Sequence, residues 1–143
     1  MKEKDLRARV NECLEMVGMP EVGSRMPAQL SGGMRRRVGF ARSIALQPEL
    51  LLFDEPTTGL DPIMTSVVGD IIVRLREELH ATTVTITHDI NSARKIATKI
   101  AMLFQGQVIH WDDNPAFFDT DHPVVRQFVE GRSEGPATDG RLG

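Results

Sequence analysis

Three short stretches of this 143-residue chain hold side chains with the right types to handle a phosphate, a metal ion and a water molecule: Ser31-Gly32-Gly33, Asp54-Glu55 and His88. Asp54 and Glu55 close the apolar run "LLLFD", and neighbouring strand residues point to opposite faces, so the two carboxylates have different tasks. One can serve a hard cation such as Mg²⁺, for which a single protein carboxylate suffices when phosphates and waters supply the other oxygens. The other can polarise an attacking water. His88 follows a second β-branched run and can act as a proton-sensitive contact. Ser31 can cap a helix whose first N–H groups are unpaired and partly positive, and Gly32 and Gly33 carry no side chain to keep an anion away from them. Each stretch alone also has a plain structural meaning: a turn after a strand, a hydrogen-bonded scaffold histidine, a glycine-rich loop. Arg35, Arg36 and Arg37 follow the glycines. Consecutive helical residues fan out by about 100°, so the arginines are expected to form mostly a solvated or partner-facing surface.

The elements that must carry these residues follow from periodicity. Leu6, Val10, Leu14 and Val17 predict an amphipathic helix ended by Gly18, and "MPEVGSRMP" predicts a loop. A second helix is expected from Gly33 to about Gln47, closed by Pro48. Leu50 to Asp54 and Thr82 to Thr87 predict strands buried on both faces. Between them Asp61 and Pro62 start a helix that runs to about Leu79. "INSARKIA" predicts a short helix, and "IAMLF" and "QVIHW" around Gln105-Gly106 predict a hairpin at a sheet edge. Strands alternating with helices imply an α/β fold with a mainly parallel sheet, whose ligands gather at the carboxyl ends of the strands. Both Asp54-Glu55 and His88 fall there.

Composition narrows the class. Hydrophobic residues make up 41% and charged ones 26% of the chain, with a formal net charge of -3, which fits a globular protein and argues against broad nucleic-acid binding through overall charge. The single cysteine, Cys13, allows no internal disulfide and fits a reducing compartment. No apolar run approaches the roughly 18 residues of a membrane span, and the N-terminus lacks the apolar core of a signal peptide. The expected setting is cytoplasmic, with any membrane role exercised through a partner. From Gly131 the chain is rich in Gly and poor in apolar residues, and is expected to be disordered when free.

The order "LSGGM", "ARSIALQPELLLFDEPTTGLDP", "TITHD" resembles the second half of an ATP-binding cassette (ABC) domain, over Ala28 to Trp111. Ser31-Gly32-Gly33 match that family's signature motif, "LLLFDE" its Walker B strand and following glutamate, "TGLD" at Thr58 to Asp61 its D-loop, and His88 its switch histidine. The terminal "VVRQFVEGRSEGP", with "MPAQLSGGMRRR" and "DEPTTGLDPI", is similar to the ATPases of MCE-linked phospholipid transporters, the Mla type. The resemblance implies ATP and Mg²⁺ as cofactors. It implies that Asp54 serves the Mg²⁺ site, Glu55 is the general base and His88 contacts the γ-phosphate. Asp61 would sit at a dimer interface, with Ser31, Gly32 and Gly33 on the γ-phosphate of a nucleotide held mainly by a second subunit. The implied partners are a second copy of the ATPase, a membrane permease and an MCE-type lipid-binding protein, at the cytoplasmic face of the inner membrane. No nucleic acid is implied.

The chain contains no G-x-x-x-x-G-K-[ST] phosphate loop, the family's Walker A motif. It therefore reads as the C-terminal portion of a P-loop NTPase-like domain: a mainly parallel sheet with helices on both faces, lacking the N-terminal strands and preceded by part of a helical subdomain. On this reading Met1 is an internal methionine or a start codon after a truncation. Residues 1–48 are the end of the helical subdomain with the signature, 49–130 the C-terminal part of the ATPase core, and 131–143 a tail. A sheet without its other strands is expected to expose an apolar edge and face. The expected function is to couple ATP binding and hydrolysis to membrane transport, of phospholipid by the closer resemblance, with the chain inactive alone. The alternatives are an inactive truncated remnant, or an ABC-type ATPase of DNA repair or translation. DNA-repair members attach these motifs to long coiled coils, and no sustained heptad pattern occurs here. Translation members carry tandem cassettes, and here each motif occurs once.

Overall fold

The computed structural model describes residues 2–138, so the expectations for Met1 and for residues 139–143 of the tail lie outside the described residues. The chain forms two compact units that divide between Ser92 and Ala93.

In the first unit α1 (Glu3–Met16) and α2 (Gly32–Ser43) precede β1 (Leu50–Asp54), α3 (Pro62–Leu79) and β2 (Thr82–Ile86). Two of these helices, α2 and α3, start on a capping side chain. Ser31 Oγ accepts the Met34 amide at 3.2 Å at the start of α2. Asp61 Oδ1 accepts the amides of Ile63 and Met64, both at 3.0 Å, with Pro62 as the first residue of α3. His80 ends α3 in a left-handed conformation. The second helix stops four residues short of the expected Gln47. The Ile44 and Ala45 carbonyls are taken by the Arg9 guanidinium of α1, at 2.7 and 3.0 Å, and Gln47 has φ 51°. The core of this unit holds Val17, Ile44, Val68, Ile72 and Leu75, each almost fully buried. Burying side chains of this size stabilises by roughly 1.5–3 kcal/mol each. Phe40 of α2 meets Phe53 of β1 edge to face, ring centroids 5.3 Å apart.

β1 and β2 pair in parallel, with Leu50 opposite Thr82 and Asp54 opposite Ile86, and α3 is their crossover. The expectation that both strands are buried on both faces is wrong. Leu51 and Phe53 are buried, but Leu50, Leu52, Val84 and Ile86 stand 50%, 72%, 49% and 63% exposed on the other side. Nothing among the described residues covers that side, so the expected exposed apolar face is present instead.

The helix α4 (Ile90–Ile96) spans the division between the units. In the second unit β3 (Lys99–Phe104) and β4 (Gln107–Asp113) form an antiparallel hairpin. Gln105 and Gly106 have φ 48° and 78°, the two left-handed residues that a tight hairpin turn needs. The expected single sheet is not formed: β1–β2 and β3–β4 are separate two-stranded sheets. A 3₁₀ turn (Ala116–Asp119) and α5 (Pro123–Glu130), unforeseen in the sequence, follow. Phe117 and Phe118 are buried, and the Arg94 guanidinium lies 3.5 Å from the centre of the Phe118 ring. Beyond α5, residues 131–138 wrap around the buried Gln127 side chain. Its Oε1 accepts the Ala137 amide at 2.7 Å, and its Nε2 donates to the Thr138 hydroxyl at 3.1 Å and the Arg132 carbonyl at 3.3 Å.

Candidate functional site

The parallel register carries the ends of β1 and β2 to one edge, and the chemistry-bearing residues follow from there. The strand stops at Asp54. Glu55 already has φ 46°, with its amide bonded to the Ile86 carbonyl at 2.9 Å. Glu55 therefore leaves the strand in a left-handed turn, and this turn, rather than strand alternation, separates its direction from that of Asp54.

The turn and the β2 end deliver Glu55 and His88 to each other. Glu55 Oε1 is 2.8 Å from His88 Nδ1 and accepts the His88 amide at 3.2 Å. Its second oxygen, Oε2, accepts the Thr58 hydroxyl at 2.9 Å. The hydrogen bond from His88 is the main reason the Glu55 carboxyl is held below its ordinary value, and the Thr58 hydroxyl adds to it. In return, the bond to Glu55 and its negative charge push the His88 ring above its ordinary value. The pair is open to water, with side-chain exposures of 72% for His88 and 33% for Glu55. Asp89 fixes the following turn: its carboxylate accepts the Asn91 amide at 3.0 Å and the Ser92 hydroxyl at 2.6 Å, and the Ser92 bond chiefly lowers its own titration.

This arrangement permits definite proton chemistry. Glu55 is the stronger base once His88 moves off, and the weaker one while the ring, above all as imidazolium, donates to its carboxylate. A neutral ring with its proton on Nδ1 can only accept at Nε2, whereas the imidazolium keeps the Glu55 bond and can donate from Nε2 to an anion.

Asp54 is exposed at the end of β1, and among the described residues no side-chain hydrogen bond or ion pair occupies its carboxylate. Among the described residues no cluster of three His, Cys, Asp or Glu side chains is suited to a metal ion. Asp54 thus fits a cation whose other ligands come from elsewhere, such as phosphate oxygens and water.

At the α2 start Gly32 has no atom within 4 Å of where a Cβ would stand, and a Cβ on Gly33 would lie 3.4 Å from Met64 Cε. The signature glycines are therefore open toward their surroundings, and the start of α2 lies beside the start of α3 that Asp61 caps. Glu55 and His88 are brought into contact. Ser31 and Asp61 are brought to neighbouring helix starts, each already engaged with its own helix.

The arginines depart in part from expectation. Arg35 Nη1 bonds the Leu30 carbonyl at 2.5 Å, and Arg36 Nη1 donates to the carbonyls of Pro56 at 3.0 Å and Thr58 at 2.9 Å. Both brace the backbone, yet Arg35 stays exposed as expected, while Arg36 and Arg37 are half-buried. Their fan on the helix indicates that the three face different ways, but not that Arg36 meets the turn after Glu55.

The parallel βαβ unit, with a glycine-mouthed helix and a Glu–His pair at the strand ends, has the arrangement that the resemblance to part of an ATP-binding cassette implies. A family described as "ABC transporter" matches residues 1–58. The probable ribonucleotide transport ATP-binding protein mkl of Mycobacterium leprae is 38% identical over 135 residues, covering 94% of this chain and 39% of the relative. The intermembrane phospholipid transport system ATP-binding protein MlaF of Haemophilus influenzae is 38% identical over 136 residues, covering 95% of this chain and 52% of the relative. The ATP-binding cassette MJ0796, solved as a dimer in a post-hydrolysis state with ADP and Pi, superposes with a TM-score of 0.68 at 37% identity, over 79% of this chain and 49% of that one. The chain is a homologue of ABC transporter ATPase domains and carries part of their cassette fold. It spans about half the length, or less, of the curated relatives it matches.

Proposed function

We propose that the chain is the signature-bearing and hydrolytic part of an ABC transporter ATPase that couples ATP binding and hydrolysis to the movement of phospholipid through a membrane permease. The observation that carries this reading is the Glu55–His88 pair at the ends of two parallel strands, 2.8 Å from oxygen to nitrogen. When bound, ATP with Mg²⁺ supplies the phosphoryl group and the charge neutralisation of its transfer. The residues of this chain do the rest. Asp54 offers a carboxylate to the cation, Glu55 takes a proton from the attacking water, and His88 holds Glu55 and donates to the γ-phosphate. Ser31, Gly32 and Gly33 present open backbone N–H groups at a helix mouth to the nucleotide of a second subunit, next to the Asp61 turn at the subunit interface. The 143 residues hold no G-x-x-x-x-G-K-[ST] phosphate-binding loop, so this reading takes that loop as supplied by other sequence. Phospholipid as cargo, and an MCE-type lipid-binding protein as a further partner, draw support from the likeness to MlaF and from the "VVRQFVEGRSEGP" stretch. Among the described residues no helix is long and apolar enough to cross a membrane, which suits a subunit working at the cytoplasmic face through its permease.

The decisive variant is Glu55→Gln in a cassette completed with a phosphate-binding loop. It keeps size and hydrogen bonding but removes the base. Turnover should fall by about 10²–10⁴-fold while ATP affinity stays within a few-fold, and nucleotide-bound dimers should accumulate. Unchanged turnover would move the base elsewhere and overturn the reading.

A further inference from the structure

The Arg36 side chain crosses from the signature helix to the turn that follows Glu55, and no step above uses it. Its Nη1 bridges the Pro56 and Thr58 carbonyls at 3.0 and 2.9 Å. Thr58 is also the residue whose hydroxyl holds Glu55 Oε2, at 2.9 Å, and whose amide bonds the Glu55 carbonyl at 3.3 Å. Glu55 Oε1, the other oxygen, is held by His88. One guanidinium thus fixes the backbone of the residue that sets one half of the carboxylate.

We propose that Arg36 is a positioning residue for hydrolysis, joining the signature helix to the Glu55 carboxylate through the Pro56–Thr58 turn. The proposal rests on the reading of Glu55 as the base. Arg36 lies one helical turn beyond Gly32 and Gly33. In a dimer in which those glycines meet the other subunit's nucleotide, the seating of α2 would be passed by Arg36 to the subunit's own base. Two sites on different nucleotides are then coupled by a single side chain and one turn. The Arg36 grip is made by charge-assisted bonds from one nitrogen, Nη1, to two carbonyls. Lysine keeps the charge but its nitrogen ends one bond closer to the backbone, short of that position.

Two readouts separate positioning from general support of the fold. The first uses the 143-residue chain and the imidazole ¹⁵N shifts of His88, at a fixed pH where the ring is neutral. With Glu55 in place the proton should reside mainly on Nδ1, and Glu55→Ala marks the released ring, with the proton shifted toward Nε2. Arg36→Lys and, separately, Thr58→Val should both move His88 toward the released state. Thr58→Val leaves Arg36 and both carbonyls intact and tests the Thr58 link by itself; Arg36→Gln, which keeps a neutral donor, takes the place of Arg36→Lys if that variant does not fold, and is expected to move His88 in the same direction.

The second readout is steady-state turnover of the completed ATPase. Arg36→Lys should lower kcat about tenfold or more, as small misplacements of a catalytic group do, with KM for ATP within twofold. Four results overturn the proposal: a parent-like His88 tautomer in Arg36→Lys, a parent-like tautomer in Thr58→Val, unchanged kcat, or lost ATP affinity with kcat kept. If instead Glu55→Gln retains full turnover, the base reading falls, while the His88 shifts still report whether Arg36 holds the carboxylate.

Discussion

The two signature glycines invite a substitution whose effects on folding and on function should have opposite signs. Neither glycine has the left-handed backbone that would forbid a side chain. A Cβ on Gly32 meets nothing within 4 Å, and one on Gly33 meets only the flexible end of Met64 at 3.4 Å. Alanine fits both places, and it narrows the unfolded ensemble relative to glycine. Gly32→Ala should therefore stabilise the chain by roughly 0.5 kcal/mol, the lower end of the usual glycine-to-alanine gain because the site is in the first helical turn. For a chain of this size that is a rise in Tm of about 1–2 °C. Gly33→Ala should be neutral to slightly stabilising. Yet both methyl groups stand where a phosphate would approach the α2 amides, and Gly33→Asp adds a like charge there. In a completed cassette carrying Glu55→Gln, ATP-dependent dimers measured by sizing should weaken in the order Gly32→Ala, Gly33→Ala, Gly33→Asp, while ATP affinity of the monomer stays unchanged. If either alanine variant lost more than about 1 kcal/mol in urea unfolding, the glycines would serve the fold. If Gly33→Asp abolished monomer binding while dimers still formed at saturating ATP, the motif would act on its own subunit's nucleotide.

Three further outcomes are expected. The 143-residue chain alone should show no Mg²⁺-dependent ATP turnover, because the phosphate loop and its lysine supply much of the positioning and charge stabilisation of phosphoryl transfer; turnover abolished by Glu55→Gln would refute this. The stability that wild type holds over His88→Ala should be greatest between the ordinary Glu and His values, 4.5 and 6.5. It should shrink as pH falls through the lowered Glu55 value and as pH rises through the raised His88 value, since the pair is strongest with both groups charged; a difference flat in pH from 3 to 9 by urea midpoint would contradict it. Leu75→Ala, at a fully buried position of α3, should cost about 2–5 kcal/mol, whereas Ile63→Ala, 77% exposed on the same helix, should stay within about 0.5 kcal/mol, compared by urea unfolding.

Local signals carried well from sequence to structure. Asp61 before Pro62, Ser31 before the glycines and Gln105-Gly106 between two strands each act within three or four residues, and each produced the cap or turn its chemistry favours. Glu55 and His88 were legible as residues that could act together because one crossover brings two parallel strand ends to the same edge. What stayed hidden depends on long-range partners. Nothing near Arg36 announces the carbonyls 20 and 22 residues away, and nothing near Arg9 announces the end of α2. The burial of β1 and β2 was misjudged because an apolar run reports what a strand is suited to, not what lies against it. The "VVRQFVEGRSEGP" stretch carries a resemblance in sequence, and the structure adds a reason for one of its glycines: Gly135 has φ 144°, and a Cβ there would fall 2.6 Å from Gln127 Oε1.

The bare side of β1 and β2 also sets how this polypeptide would fare in a cell. Leu50, Leu52, Val84 and Ile86 form an exposed aliphatic surface on two short strands that, among the described residues, pair only with each other, the kind of surface that chaperones hold and that seeds self-association. Its steady-state level would then follow the supply of whatever occupies that side, because polypeptide left without an occupant is drawn off into aggregates or degraded. Abundance, and not only turnover, would be limited by complementation of this sheet.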